Sequence, residues 1–424
     1  MPDRIDERLL ESLLAQAHAA APGELPSAVQ RCATELGLGR IVVYLVDLQQ
    51  RRLQPMVPSD DDTPELTVDD SYAGSAYRTL TLYVEETGDP LNAGNAGNPS
   101  DAGAGGEDAL TAWLPLVDGA DRLGVLGART TGLDAALLRR LRAFALVLSM
   151  VIASKRAHGD SLTRLTRSQP MELPAEMLRA FLPPRTIGNA DVVSTAVLEP
   201  AYELGGDAFD HSLAGGRLHA AIFDAMGHDL AAGLTTAVAL AGDRNARRNG
   251  ADLMDIMGII DEALDRWLPD QFCTAVFAEL DLDTGRLRWC NCGHPPPLLI
   301  RDGRLVPGAL ERVAQLPLGS PSRLLAEPRV VHETVLRPGD RVLLHTDGVP
   351  EARMRDGTQF GMERFTGAIL RAAIGELAPE VLRRLIHEIV GGQDSRLRDD
   401  ATILLLEWKP AEPHRADPVR RPVG

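Results

Sequence analysis

The chain has 424 residues, of which 44% are hydrophobic and 25% charged, an ordinary balance for soluble globular protein, and its formal net charge is −16 at pH 7. This length exceeds what one hydrophobic core usually serves, so two or three domains are expected. The acidic balance argues against a nucleic acid or an anionic membrane as partner, because both would repel the protein.

Cysteine content and the N-terminal sequence predict a cytoplasmic protein. Four cysteines are too few for a disulfide framework, and Cys290 and Cys292 have no second Cys/His pair at zinc-finger spacing. The N-terminus lacks a signal-peptide pattern. The most apolar helical stretch, residues 143–153, is shorter than the roughly 20 residues that cross a bilayer.

The first 155 residues predict a small α+β domain. Residues 88–107 consist almost wholly of Gly, Ala, Asn, Asp and Pro, which cannot bury a core, so they predict a disordered surface loop. Apolar periodicity and turn signals elsewhere predict helices in 4–37, a strand at 40–48 paired with 51–56, a hairpin of 112–117 and 122–128, and a helix at 133–158.

The hairpin sequence TAWLPLVDGADRLGVLGART resembles the last hairpin of GAF domains. The resemblance implies that residues 1–155 form a GAF-like sensor domain, with a PAS-like domain as the alternative. Such a domain can hold a small-molecule ligand, whose identity the sequence does not indicate. No Cys/His arrangement in this region is typical of a haem or bilin site.

Residues 156–185 predict a helical linker after this domain. An apolar stripe runs along the preceding helix and suits packing against a second copy, which predicts a homodimer; alternatively it packs on its own domain. The stripe consists of Leu138, Leu141, Phe144, Ala145, Val147, Leu148 and Val151.

From about residue 186 to 409 strands alternate with helices. Turns at 283–285, 302–303 and 338–340 are of the hairpin type, so much of the predicted sheet is antiparallel. Two sheets covered by helices would account for these strands and helices, so we expect an α+β domain. Residues 410–424 are rich in Pro and Arg and predict a disordered tail.

Aspartates recur at strand ends and Gly-rich turns of this second domain. Asp207 follows Gly-Gly, Asp224 and Asp347 end apolar strands, and Asp399-Asp400 precede the last strand. Each alone has the simpler explanation of a turn former or helix cap. Gathered together, such carboxylates repel one another unless cations neutralise them, and oxygen-only ligation favours Mg²⁺ or Mn²⁺ over Zn²⁺.

Five motifs follow one another in this part of the chain: E-x-G-G-D-x-x-D (203–210), D-x-x-G-H (224–228), N-x-G-H-P-P-P (291–297), T-D-G-V-x-E (346–351) and D-D-x-T (399–402). In this order they resemble the motifs of the bacterial PPM-type serine/threonine phosphatases of the SpoIIE/RsbU branch. The resemblance covers about residues 180–408. It implies an αββα sandwich that holds two Mn²⁺ or Mg²⁺ ions between its sheets.

The resemblance also assigns residues to this metal site. Asp207 and Asp224 would be the catalytic pair that holds both ions, with Ala225 contributing its backbone carbonyl. Asp347 and Asp399 would complete the shell of one ion.

Neighbouring motif residues have roles that the sequence leaves open. Asp210, Gly348 and Asp400 are expected close to the metal ligands without binding directly. For His228 and for His294 (of the N-x-G-H motif) we expect structural hydrogen bonds rather than acid chemistry.

The sequence departs from the family pattern at Asp229, which occupies the position of the final Gly in D-x-x-G-H-G. This acid would either cap the following helix or crowd the metal ions.

The implied function is hydrolysis of phosphoserine or phosphothreonine on a regulatory protein. By the resemblance, the substrate is a phosphorylated anti-sigma-factor antagonist, and the N-terminal domain controls the reaction through the linker and the helix after Asp229, by shifting a metal ligand. The alternative is a non-catalytic protein that binds a metal or a partner. Residues 205–209 superficially resemble the GGDEF signature of diguanylate cyclases, but Ala208 replaces its Glu and the later motifs have no place there.

Overall fold

The computed structural model describes residues 15–16, 19–57, 62–86, 110–203, 205–227, 229–320, 329–354, 357–372, 376–391 and 400–410. The chain divides into two compact units, Met1–Glu172 and Leu173–Gly424. The predicted loop at 88–107, the tail after 410, and the predicted site residues His228 and Asp399 lie outside the described residues.

The first unit is built on one antiparallel sheet. In its described part the strands are β1 (Arg40–Val46), β2 (Arg52–Pro55), β3 (Leu66–Thr67), β4 (Tyr83–Glu85), β5 (Leu110–Asp118) and β6 (Asp121–Thr130), in the order β3-β2-β1-β6-β5-β4. The helices are α1 (Leu25–Glu35), α2 (Tyr72–Thr79), α3 (Ala135–Arg156) and α4 (Asp160–Leu165). The predicted pairing of the first two strands and the hairpin of β5 and β6 are confirmed.

The apolar stripe of α3 is buried inside its own unit. Leu141, Phe144 and Leu148 are fully buried in the core that α1, α3 and one face of the sheet share. The prediction that this stripe pairs with a second copy is therefore wrong, and the alternative is confirmed. The exposed face of α3 instead carries Leu146 and Met150.

The second unit contains two antiparallel sheets, each covered by helices. Its described strands are β7 (Thr186–Gly188), β8 (Val192–Glu199), β9 (Asp207–Ala214), β10 (Arg217–Ala225), β11 (Cys273–Asp281), β12 (Arg286–Cys292), β13 (Leu298–Arg301), β14 (Arg304–Leu305), β15 (His332–Val335), β16 (Arg341–His345) and β17 (Ala401–Trp408). One sheet has the order β15-β12-β11-β10-β9 and the other β14-β13-β16-β17-β8-β7.

Helices pack on the outer face of each sheet and produce an αββα arrangement. The described helices are α5 (Leu173–Phe181), α6 (Leu230–Arg248), α7 (Leu253–Trp267), α8 (Gly348–Glu351), α9 (Gly361–Ala372) and α10 (Ala378–Gly391). Residues of α6 and α7 share a core with the five-stranded sheet, and residues of α9 and α10 share one with the six-stranded sheet. The sandwich predicted for this domain is confirmed.

Polar contacts join the two sheets across their inner faces. The Ser194 hydroxyl of β8 lies 2.8 Å from Nδ1 of His211 on β9. The indole of Trp408 on β17 donates a hydrogen bond of 3.1 Å to the Leu282 carbonyl. These contacts fix the register of one sheet on the other, which brings residues distant in sequence to one end of the sandwich.

None of the helices in the described part of the chain is both long and apolar enough to cross a membrane.

The buried His211 predicts a pH-dependent stability of the second unit. Burial lowers its pKa to about 4 from the ordinary value of 6.5. The folded state then binds fewer protons than the unfolded state between these values, so the free energy of unfolding falls as pH drops from 6.5 towards 4, by at most about 1.4 kcal/mol per pH unit from this residue.

Urea unfolding of the full chain from pH 7.5 to pH 4.5, followed by tryptophan fluorescence, measures this dependence. The His211→Gln variant is expected to lose less stability on acidification than the wild type. Equal slopes in the two proteins would contradict the prediction.

Candidate metal centre

Asp207 and Asp224 lie side by side at the end of two paired strands. Asp207 begins β9 and stands directly opposite Asp224, the penultimate residue of β10. Residues opposite each other in an antiparallel pair have Cβ atoms about 4.5–5.5 Å apart, and like charges at that distance repel. The sheet therefore brings together two of the predicted metal ligands at the cost of electrostatic repulsion.

Asp207 is buried, and no positively charged side chain among the described residues lies beside it. Burial raises the pKa of Asp207 well above its ordinary value, and the nearby charges of Asp224 and Asp400 raise it further. The Thr346 hydroxyl, from the end of β16 in the other sheet, donates a hydrogen bond of 2.8 Å to Oδ2 of Asp207 and offsets part of this rise. A buried carboxylate in such surroundings is protonated or neutralised by a cation.

Asp400 shapes the turn that precedes Asp207. Its Oδ2 accepts hydrogen bonds from the backbone N–H groups of Gly205 at 2.9 Å, Gly206 at 2.7 Å and Asp207 at 3.2 Å. Backbone N–H groups that converge on one carboxylate oxygen stabilise its ionised form. Of the two adjacent acids, Asp400 is thus committed to the turn, and the assignment of Asp399 as metal ligand stays a prediction.

The turn before Asp207 requires glycine at position 206, because a side chain would not fit there. A Cβ atom on Gly206 would lie 2.5 Å from the carbonyl oxygen of Ala225 and 2.6 Å from that of Gly227. The backbone N–H of Ala225 also donates to the carbonyl of Gly206 at 3.2 Å. The predicted carbonyl ligand therefore lies against the turn that carries Asp207.

The Thr346–Asp347–Gly348 segment is paired with the start of β17. The N–H of Thr346 donates to the Thr402 carbonyl at 3.0 Å, and the N–H of Thr402 donates to the Thr346 hydroxyl at 2.9 Å. A Cβ atom on Gly348 would lie 1.9 Å from the carbonyl oxygen of Asp400, so this position also requires glycine. Asp347 is exposed and directly precedes α8.

Two further predicted residues lie near the centre with structural roles. Asp229 is the N-cap of α6, where its carboxylate accepts a hydrogen bond of 2.9 Å from the N–H of Ala232. Of the two roles considered for Asp229, the structure thus shows the helix cap. His294 is buried, its Nδ1 lies 2.7 Å from the Thr274 hydroxyl, and Thr274 pairs with Asp224 in the sheet. Burial lowers the pKa of His294 to about 3, so the ring is neutral.

Asp210 does not lie with the metal ligands, contrary to the prediction. Side chains alternate along β9, so the carboxylate of Asp210 lies on the opposite face from that of Asp207 and beneath α6. It is bound there by Arg244 at 2.6 Å and Arg247 at 2.5 Å. Burial alone would raise the pKa of Asp210, but these arginines lower it.

Thr236 and Thr346 contact the centre and were not identified from the sequence. Thr346 belongs to a recognised motif but carries no signal that separates it from an ordinary strand residue. The Thr236 hydroxyl, on α6, donates to the Gly206 carbonyl, and nothing in the sequence around it indicates that contact.

The donor set fits a divalent cation. Carboxylate and carbonyl oxygens from Asp207, Asp224 and Ala225 meet where the pKa of Asp207 indicates missing positive charge. Within the described ranges, no group of three His, Cys, Asp or Glu side chains is placed to bind a metal by itself. The assignments of Asp347 and Asp399 to the metal shell therefore stay predictions.

The αββα sandwich and its paired aspartates agree with the fold and the site that the sequence motifs imply. Residues 214–409, fewer than half of the chain, match the family model of Stage II sporulation protein E (SpoIIE). The matched residues lie within the second unit, Leu173–Gly424. The match begins after Asp207, so the first motif precedes it.

Solved structures similar to this chain include three from bacteria. The RsbU and RsbW domains of a Mycobacterium tuberculosis protein are 22% identical, with a TM-score of 0.46, over 54% of this chain and 63% of that one. The SiaA-PP2C domain of Pseudomonas aeruginosa is 23% identical, with a TM-score of 0.48, over 61% and 99%. The PP2C domain with a regulatory fragment of SpoIIE from Bacillus subtilis is 18% identical, with a TM-score of 0.44, over 52% and 64%. The match thus spans less than two thirds of the first and third structures.

Replacing Asp400 is expected to destabilise the turn. In Asp400→Ala three backbone N–H groups lose their acceptor, which should lower the free energy of unfolding by on the order of 3 kcal/mol. Asp400→Asn keeps one acceptor oxygen and removes a charge beside Asp207, so its loss should be smaller. Urea unfolding in EDTA measures both. An Ala variant as stable as the Asn variant would show that these hydrogen bonds do not hold the turn.

Proposed function

We propose that this protein is a metal-dependent serine/threonine phosphatase that removes phosphate from a regulatory protein. The observation that carries the proposal is the buried Asp207 carboxylate, which stands opposite Asp224 and beside Asp400 without a positive partner among the described residues. Two consecutive strands supply Asp207 and Asp224, and Asp400 comes from a segment 193 residues after Asp207. Carboxylates with a raised pKa cluster at functional sites, which favours a functional role for Asp207 over a purely structural one.

Two Mn²⁺ or Mg²⁺ ions are the proposed cofactors. Asp207 and Asp224 would hold both, with the Ala225 carbonyl, and Asp347 and Asp399 would complete the shell of one. When bound, such ions lower the pKa of a bound water and stabilise negative charge on a phosphoryl group.

The chain's own residues keep these ligands in position. The Thr346 hydroxyl donates a hydrogen bond to Oδ2 of Asp207, which fixes the rotation of that carboxylate. The other carboxylate oxygen is then the one left to bind a cation. Asp400 holds the preceding turn through the three N–H groups. The neutral His294 ring holds the hydroxyl of Thr274, the residue opposite Asp224 in the sheet. The Asn291 side chain accepts from the His294 N–H at 2.8 Å and donates to its carbonyl at 2.7 Å, which keeps that turn closed.

The proposed substrate is a phosphorylated anti-sigma-factor antagonist, on the strength of the SpoIIE-type sequence of residues 214–409. The proposed regulator is the N-terminal unit, interpreted as a GAF-like sensor with a small-molecule ligand. Contacts inside the second unit support a route for the signal. A Cβ atom on Gly233 of α6 would lie 3.0 Å from Met177 of α5 and 3.1 Å from the Gly205 carbonyl, so α6 packs between the linker helix and the turn.

Phosphate release from a phosphoserine peptide tests the activity. With the full chain we expect release with Mn²⁺ or Mg²⁺ and none in EDTA. Asp224→Asn should lower the rate by at least about a hundredfold, because even residues outside the metal shell often contribute ten- to hundredfold. Asp302→Asn, an exposed acid in the turn between β13 and β14, is the matched control and should retain the full rate. Absence of metal-dependent release would favour a binding protein.

Removal of residues 1–155 tests the proposed regulation. If the N-terminal unit biases α5 and α6, the truncated protein should differ from the full chain in turnover by at least about threefold, a difference of roughly 0.7 kcal/mol in the barrier. The measurement is the same release assay at matched enzyme and metal concentrations. Identical turnover would contradict control by that unit.

A further inference from the structure

A cleft of about 410 Å³ lies away from the metal centre, at the edge of the five-stranded sheet. One wall is the end of α5 and the residues after it, a second is the edge strand β9, and a third is the last turn of α6. The lining residues are Ala180, Phe181, Leu182, Pro183, Asp210, His211, Ser212, Ala214, Arg244, Arg247 and Arg248. Its volume lies within the range of small-molecule sites.

Positive charge exceeds negative charge on the α6 side of this cleft. Arg244 and Arg247 both bind Asp210, and Arg247 also lies 3.6 Å from Asp243. Arg248 is exposed and has no ion pair with any residue in the described part of the chain. Three arginines therefore face two acids, which leaves one positive charge in a chain whose net charge is −16.

Arg244 retains hydrogen-bond capacity for a ligand. The Nε–H of Arg247 makes no hydrogen bond with the described residues, but it is buried and does not open to the cleft. Arg244 binds Asp210 through Nε and Nη2, at 3.1 and 2.6 Å, while its Nη1 makes no hydrogen bond within the described part of the chain. Guanidinium groups recognise carboxylate and phosphate oxygens in this way.

His211 holds the shape of the opposite wall and adds no charge. Its Nε2 lies 2.8 Å from the Pro184 carbonyl and its Nδ1 2.8 Å from the Ser194 hydroxyl. Both ring nitrogens are thus occupied, and the carbonyl fixes Nε2 as the donor. The lowered pKa of His211 agrees with this neutral state. The chain that follows α5, from Phe181 to Pro183, is thereby held beside β9.

We propose that this cleft binds a small organic phosphate. Its phosphate group would contact Arg244, Arg247 and Arg248, and its apolar or ring-shaped body would pack on Phe181, Leu182 and Pro183. The cleft is too small for a folded protein, and one uncompensated positive charge favours an anion over a neutral ligand. Asp210, at its base, lies on the opposite face of β9 from Asp207, so the site is separate from the metal centre.

Isothermal titration with adenosine diphosphate as the probe tests the proposal. The titrated protein is the full chain in EDTA at physiological salt concentration, so metal ions cannot recruit the phosphate and the result does not depend on phosphatase activity. Ala214 is an exposed lining residue at the end of β9, and Ala214→Glu places a negative charge at the cleft while Ala214→Gln adds the same bulk without charge. Arg248→Gln and Arg248→Lys form a second pair that changes charge on the α6 side.

We expect binding by the wild type, Ala214→Gln and Arg248→Lys. Binding should be at least about fivefold weaker in Ala214→Glu and in Arg248→Gln, since one charge at an exposed site contributes about 1 kcal/mol. Unfolding midpoints equal to that of the wild type confirm that each variant is folded. If Ala214→Glu does not fold, the comparison of Arg248→Gln with Arg248→Lys tests the proposal instead. Absence of binding, or binding that the charge changes leave unaltered, would overturn the proposal.

Discussion

The hydrogen bonds from three consecutive N–H groups to one oxygen of Asp400 are the constraint on which the candidate centre depends. They join the Gly205–Asp207 turn to the start of β17, across 193 to 195 residues of chain. Because the turn is held there, β9 begins with Asp207 directly opposite Asp224. Burial and the negative charges that the same arrangement concentrates together raise the pKa of Asp207, and a cation would relieve both. The stability of the turn and the proposed affinity for metal would therefore be linked through one carboxylate.

Helix α6 connects the centre with the cleft at the sheet edge. Near its N-terminus, Gly233 and Thr236 contact the Gly205–Gly206 backbone. Near its C-terminus, Arg244 and Arg247 bind Asp210 from above the sheet. A helix of 19 residues is stiff on this scale, so a small tilt at one end displaces the other. Any ligand or helix that shifts α6 would thus act on the carbonyl of Gly206, one residue before Asp207.

The sequence predictions were correct where a local pattern of residues determines the structure. They fell short where the answer depends on which face of a strand a side chain occupies or on how elements pack in the tertiary structure. The arrangement of two sheets covered by helices was predicted correctly, because alternating and helical periodicities of apolar residues are local, but β9 was not identified as a strand. Asp210 was misplaced, since a motif spacing of three residues does not show on which side of a strand the carboxylate lies. The sequence left the packing of the α3 stripe open, because such a stripe packs equally well on its own sheet or on a second copy.

The sequence by itself determined the αββα architecture, the aspartates worth considering as ligands and the glycines around them, since these follow from residue type and order. The tertiary structure decided which carboxylates meet. Strand order places Asp224 beside Asp207, and the pairing of β16 with β17 brings Thr346 and Asp400 to the same turn. It also decided that Arg244 and Arg247 face Asp210 in a cleft. Contacts between residues about 30 to 195 positions apart depend on how sheets and helices stack, and no local pattern records that stacking.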